Sequence, residues 1–166
     1  PGELFAQLTQ FKIALVHSVL GIAGELGELE ELDDKLVDFA LEPETRENLI
    51  EETGDFFFYA RDIRHVLALS PFMSVQVPAH YRPAVDVGVV VDISKKIVIY
   101  SKPVTAESLM LIEGALNRLE THYEHQLTLA GSSRNASLEH NVAKLNKRYP
   151  EGYTDAHAEA RLDKAE

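Results

Sequence analysis

The sequence predicts an all-α fold, a bundle of four to five helices. Apolar side chains recur at three- and four-residue intervals in the long segments, the spacing of one face of an α-helix. Between those segments stand Pro43, Ser70-Pro71, Pro103, Gly131-Ser132-Ser133 and Pro150, residues at which helices stop. No internal repeat or low-complexity tract interrupts this pattern, and only residues 84–101 admit a strand as an alternative.

Residues 3–39 read as one long helical stretch with a polar end near Asp33-Asp34, punctuated by Pro43. Residues 44–69 read as a second helix, ended by Ser70-Pro71. Residues 70–83 carry Pro71, Pro78 and Pro83 and form a connecting loop. In 84–101, the run Val85-Asp86-Val87-Gly88-Val89-Val90-Val91 has the β-branched composition of a strand. Val85, Val89, Asp92, Ile93, Lys96 and Ile97 nevertheless fall at helical spacing. Residues 105–130 form a helix with Thr105 as its N-cap, and residues 136–148 a short amphipathic one. Residues 1–153 thus make a single helical domain, followed by a polar C-terminal tail, 154–166.

The chain has 166 residues, 45% hydrophobic and 26% charged, enough for one domain with a real core. No apolar run approaches ~20 residues, which argues against a membrane span. Cysteine is absent, so disulfides and thiolate metal sites are excluded. With no secretory leader pattern in the first residues, a reducing, cytoplasmic setting is the expectation. The net charge is −11, and its placement is uneven. Residues 1–69 hold 15 acids and 5 bases, whereas residues 70–166 hold 12 acids and 11 bases. An acidic first half argues against nucleic acid as the partner, because a phosphate backbone requires a basic surface.

The acidic half has internal order. In Gly21-Ile22-Ala23-Gly24-Glu25-Leu26-Gly27-Glu28, Glu25 and Glu28 lie at i,i+3 and project from adjacent helical turns. Three glycines here each cost roughly 1 kcal/mol relative to alanine, tolerable where something approaches the backbone closely. In the second helix Glu52 and Asp55 repeat the device, on a stripe that also carries Asn48, Tyr59 and Asp62. Leu49, Phe56, Ala60, Ile63 and Leu67 form the apolar stripe beside it. If the two helices pack antiparallel, four carboxylates converge. On spacing alone, such pairs are commonly solvated. As a site, four carboxylates without sulfur select Mg²⁺, with Mn²⁺ as a substitute, over zinc or copper.

These residues resemble the ExxE…ExxD signature of the MazG-like all-α nucleoside triphosphate pyrophosphatases. Residues 17–28, HSVLGIAGELGE, resemble the family's H-x-x-x-G-(I/L)-A-x-E-x-G-E segment, and residues 51–59 resemble E-E-x-G-D-x-x-x-Y. Residues 95–102 resemble a K-K-x-x-x-Y-x-K element and residues 141–150 an N-x-x-K-L-x-x-R-Y-P element. The resemblance implies a MazG-like helical domain whose sites are built from packed helices in a homodimer or dimer of dimers. It implies Mg²⁺-dependent hydrolysis of a nucleoside triphosphate to a monophosphate and pyrophosphate, a housecleaning reaction of the nucleotide pool. By position, Glu25, Glu28, Glu52 and Asp55 become the metal ligands. The loop 70–83 has no clear counterpart in the family.

That chemistry needs cations for the phosphates and a base for the water. Asn141, Lys144 and Arg148, at i, i+3 and i+7, share one helix face and suit phosphate binding. Lys96 is a further candidate, with Lys95 and Lys102 as competitors. Glu28 is the candidate catalytic base, with Glu25 and Glu31 as rivals. His17, two turns before Glu25, is a candidate nucleoside contact, or a histidine at a helix interface. Phe56, Phe57, Phe58 and Tyr59 cover all sides of one turn and read chiefly as core. His122 and His125 read as exposed. A ferritin-like di-iron site needs Glu-x-x-His pairs, and the sequence has none, Asp62-Ile63-Arg64-His65 being the nearest approach. The other alternative is a non-catalytic nucleotide-binding or acidic helical adaptor protein.

Overall fold

The computed structural model describes residues 8–33, 42–152 and 154–160. Among these the regular structure is entirely helical: α1 Gln10–Asp33, α2 Pro43–Val66, α3 Pro83–Val98, α4 Ala106–Leu129, α5 Arg134–Arg148 and α6 Asp155–Ala160. Five helices are long, and a sixth, of six residues, forms in what the sequence reads as a tail. No helix is long and apolar enough to cross a membrane among the described residues.

Helix limits follow local chemistry. The first described helix begins at Gln10, where Thr9 takes the Lys12 amide on its hydroxyl at 3.3 Å, and residues 3–7 of the expected stretch lie outside the described residues. Residues 34–39, the other end of the expected stretch, lie outside the described residues. Pro43 opens α2, where its missing N–H costs nothing. At the far end of α2, Ala68 turns left-handed with φ 51°, and the Leu69 amide closes on the Arg64 carbonyl at 2.9 Å. Thr105 and Ser108 cap α4 reciprocally, as the sequence leads one to expect for Thr105, and Ser133 caps α5. The valine-rich segment is a helix, α3. Val87, Val90, Ile93 and Ile97 bury one helical face, and that burial overrides β-propensity.

The helices surround one core. Helix α1 contributes Leu15, Val19, Ile22, Leu26, Leu29 and Leu32, spaced as a narrow apolar seam. It packs along α2 and α3; α3 packs on α4, and α2 also meets α4 and α5. Phe56 and Phe57 are fully buried, Phe58 is exposed and Tyr59 is half-buried, so only part of the aromatic turn is core.

Two buried polar networks tie the helices together. The fully buried Glu120 of α4 accepts from Arg64 of α2 and from Arg134 of α5, whose guanidinium lies between the Phe57 and Phe72 rings. Arg64 also donates to Asn117 and to the Ser70 carbonyl, each at 2.8 Å. Breaking such a buried pair leaves an uncompensated charge, so the three helices hold a fixed relation. Buried Asp86 takes both guanidinium arms of Arg118 at 2.9 and 2.6 Å and the Tyr81 hydroxyl at 2.8 Å, joining α3, α4 and the 70–82 loop.

Helix α5 reaches α2 at a small-residue crossing. A Cβ on Gly54 would stand 2.6 Å from the Ser137 carbonyl oxygen. Ser137 bonds the Ile50 carbonyl at 2.7 Å, and its hydroxyl lies 2.9 Å from that of Thr53. Gly54→Ala must push α5 away, and overpacking of this kind costs about 1–3 kcal/mol, more than the helix propensity gained. The variant is expected to lower Tm in thermal unfolding; an unchanged or raised Tm contradicts the close crossing.

Candidate active site

The α1–α2 seam brings together three of the four acidic residues singled out by spacing. Glu25, Glu52 and Asp55 each offer a carboxylate oxygen, all within 4.8 Å of one another. Glu28 stays outside this group and is exposed. Three residues advance a helix by about 300°, so Glu28 is turned about 60° from Glu25, here toward solvent. Its charge still reaches both glutamates of the cluster. The sequence expectation of four converging ligands is therefore reduced to a triad with a fourth carboxylate at its edge.

Gly21 makes room for this arrangement, since a Cβ there would lie 2.5 Å from the Tyr59 ring. Gly24 and Gly27 meet nothing within 4 Å, so close approach explains only one of the three glycines of α1.

Crowding shapes the electrostatics. Burial first, then the charges of Asp55, Glu52 and Glu28, push the Glu25 carboxyl up to about 8. Burial, then Glu28, Glu51 and Asp55, raise Glu52 to about 7, although Lys144 pulls it back. Glu25 Oε2 is buried without a hydrogen-bond partner. Burial and the nearby Glu25 charge also raise the Tyr59 phenol.

Helix α5 supplies the opposing charge. Asn141 Nδ2 donates to Asp55 Oδ1, and Lys144 Nζ pairs with Asp55 Oδ2 and, at 3.3 Å, with Glu51. A cleft of about 400 Å³ opens beside them, lined by His17, Asp55, Tyr59, Asn141, Lys144 and Arg148, with Phe58, Leu145, Asn146 and Tyr149 around them. His17 meets Tyr59 edge to face, 5.5 Å between ring centroids. Thus Asn141, Lys144 and Arg148 of α5 and His17 of α1 share one cleft.

Lys96 does not join them. It pairs with Asp92 at 2.7 Å and lines a separate groove with Lys102 and Glu107, because α3 packs on α1 and α4 rather than across this cleft. Sequence reasoning also missed two residues. Tyr59 was legible, being four residues after Asp55 on the acidic stripe. Glu51, which shares Lys144 with Asp55, lies off that stripe, and its one signal is the first position of the E-E-x-G-D segment. His122, expected to be exposed, is half-buried on α4 between Tyr81 and Tyr123, its Nε2 unpartnered and its pKa lowered by burial.

The triad meets the requirements of a hard divalent cation. Its donors are all oxygen, one of them is a buried orphan, and two of its carboxyls resist ionisation because of burial and the neighbouring carboxylates. Glu25, Glu52 and Asp55 are the residues that could hold the ion. Compared with known proteins, the chain matches no family model, no curated protein and no solved structure.

The raised carboxyls carry a stability consequence. Unfolded, Glu25 and Glu52 titrate near 4.5; folded, near 8 and 7. Between these limits the metal-free folded chain binds more protons than the unfolded one, so rising pH destabilises it. Glu25→Gln removes the larger part of this proton uptake. Its Tm is expected to gain on wild type as pH rises from about 5 to about 8, with the two converging below about 4.5. A difference in Tm that is constant across this range contradicts the crowded site.

Proposed function

We propose that this protein is a Mg²⁺-dependent nucleoside triphosphate pyrophosphohydrolase. It would convert a ribo- or deoxyribonucleoside triphosphate and water to the monophosphate and pyrophosphate, in nucleotide-pool housecleaning. The observation that carries the reading is the junction of two unlike surfaces at Asp55. On one side lies an oxygen-only carboxylate triad. On the other lies a cleft with Lys144, Arg148 and the His17–Tyr59 ring pair. A triphosphate has the matching parts: a polyanionic chain and a planar base. The motif resemblance to the MazG-like enzymes, three of whose four blocks carry residues of the triad or the cleft, supports the same assignment.

Each residue then has a task. Glu25, Glu52 and Asp55 hold the divalent ion, with Mn²⁺ able to replace Mg²⁺. When bound, the ion would offset phosphate charge and lower the pKa of water. Lys144, Arg148 and Asn141 donate to phosphate oxygens. His17 and Tyr59 border the nucleoside. Glu28, exposed at the edge of the triad, accepts the proton as water oxygen attacks the α-phosphorus and the α–β bridging bond breaks, with pyrophosphate leaving. Lys96, on another face, has no part in this cleft.

The same proposal includes a homodimer or a dimer of dimers. Leu20, Met110 and Leu111, 66%, 73% and 51% exposed, are the apolar side chains offered to such an interface. A cytoplasmic setting belongs to it as well, since nucleotide pools reside there.

Glu52→Gln tests the assignment. The variant is expected to lose at least about 100-fold in kcat with pyrophosphate as the assayed product. Its fold should survive, because one crowded charge is removed. Retained turnover, or release of orthophosphate and a diphosphate by wild type, contradicts the reading.

A further inference from the structure

We propose that Lys144 is a built-in counter-ion that holds Asp55 of the candidate metal centre when no divalent ion is present, and that the ion displaces it into the cleft. The inference rests on the metal-centre reading above and concerns what must happen when that centre fills.

Both oxygens of Asp55 are engaged from α5, Oδ1 by Asn141 and Oδ2 by Lys144. The Lys144 side chain is only 7% exposed and also reaches Glu51 at 3.3 Å. Glu25 and Glu52, each crowded by other carboxylates, complete the surroundings. The ammonium sits on Asp55, beside Glu51 and near enough to lower the Glu52 pKa, and a dication entering among Glu25, Glu52 and Asp55 competes with it for the same Asp55 oxygen. Two positive charges at such range repel strongly in a partly buried site. The lysine stem is flexible, so Nζ can leave Asp55 without any movement of α5. The space open to it is the cleft that Lys144 already lines with Arg148 and His17. Metal entry thereby frees a phosphate-binding ammonium, and a loaded centre is the condition for a complete anion grip.

Two measurements on the full chain test this with Mn²⁺ or Mg²⁺ alone and no nucleotide. The first is calorimetric Mn²⁺ titration of wild type, Lys144→Met and Glu52→Gln. Removal of the competing ammonium is expected to tighten Mn²⁺ binding about tenfold. Unchanged or weaker binding by Lys144→Met, while Glu52→Gln still loses the ion, overturns the displacement and leaves the metal centre standing. Absence of Mn²⁺ binding to both wild type and Lys144→Met overturns the metal centre, and the displacement with it. The second uses wild type only and decides the matter should Lys144→Met fail to fold. Amine-reactive labelling is read by mass spectrometry, with exposed Lys102 as the internal standard. Saturating Mg²⁺ is expected to raise Lys144 labelling several-fold relative to Lys102; an unchanged or reduced ratio overturns the proposal.

Discussion

Mutual repulsion of carboxylates at the α1–α2 seam is the constraint around which this molecule is arranged. Folding brings Glu25, Glu52 and Asp55 within 4.8 Å and partly excludes water from them. The chain meets that cost in two ways. Protons remain on the glutamates well above their usual range. Asn141 and Lys144 reach across from α5 to hold Asp55. A divalent cation would answer the same repulsion more completely.

The rest of the fold maintains the geometry of that seam. The Gly54–Ser137 crossing sets how near α5 can come, and hence whether Lys144 reaches Asp55. The buried Arg64–Glu120–Arg134 network locks α2, α4 and the start of α5 together, so that the far half of α5 projects over the cleft at a fixed angle. Gly21 seats Tyr59, which in turn borders both the triad and the cleft. Packing, hydrogen bonding and charge therefore converge on one place, while Asp86 secures α3 and the 70–82 loop to α4.

Much of this was legible in the residues. The i,i+3 acidic pairs located the seam, and the i, i+3, i+7 spacing of Asn141, Lys144 and Arg148 located the opposing helix face. What spacing could not supply was helix rotation and neighbourhood. Glu28 shares a turn with Glu25, yet the rotation of α1 in the bundle sends it to solvent. Lys96 sits in a suggestive basic block, yet α3 has other neighbours than α5. Propensity misleads at Val85–Val91 because burial of one face outweighs β-branching, and it is silent about Thr9 and Ala68, where helices begin and end through single local contacts. The networks around Glu120 and Asp86 join residues distant in sequence, so no local pattern announces them.

The most direct test of the account is the anomalous signal from crystals of the protein grown with Mn²⁺. The account predicts a single strong peak bounded by carboxylate oxygens of Glu25, Glu52 and Asp55, with Lys144 Nζ no longer on Asp55. Well-ordered carboxylates with no peak between them, and Lys144 still paired to Asp55 at saturating Mn²⁺, would contradict it.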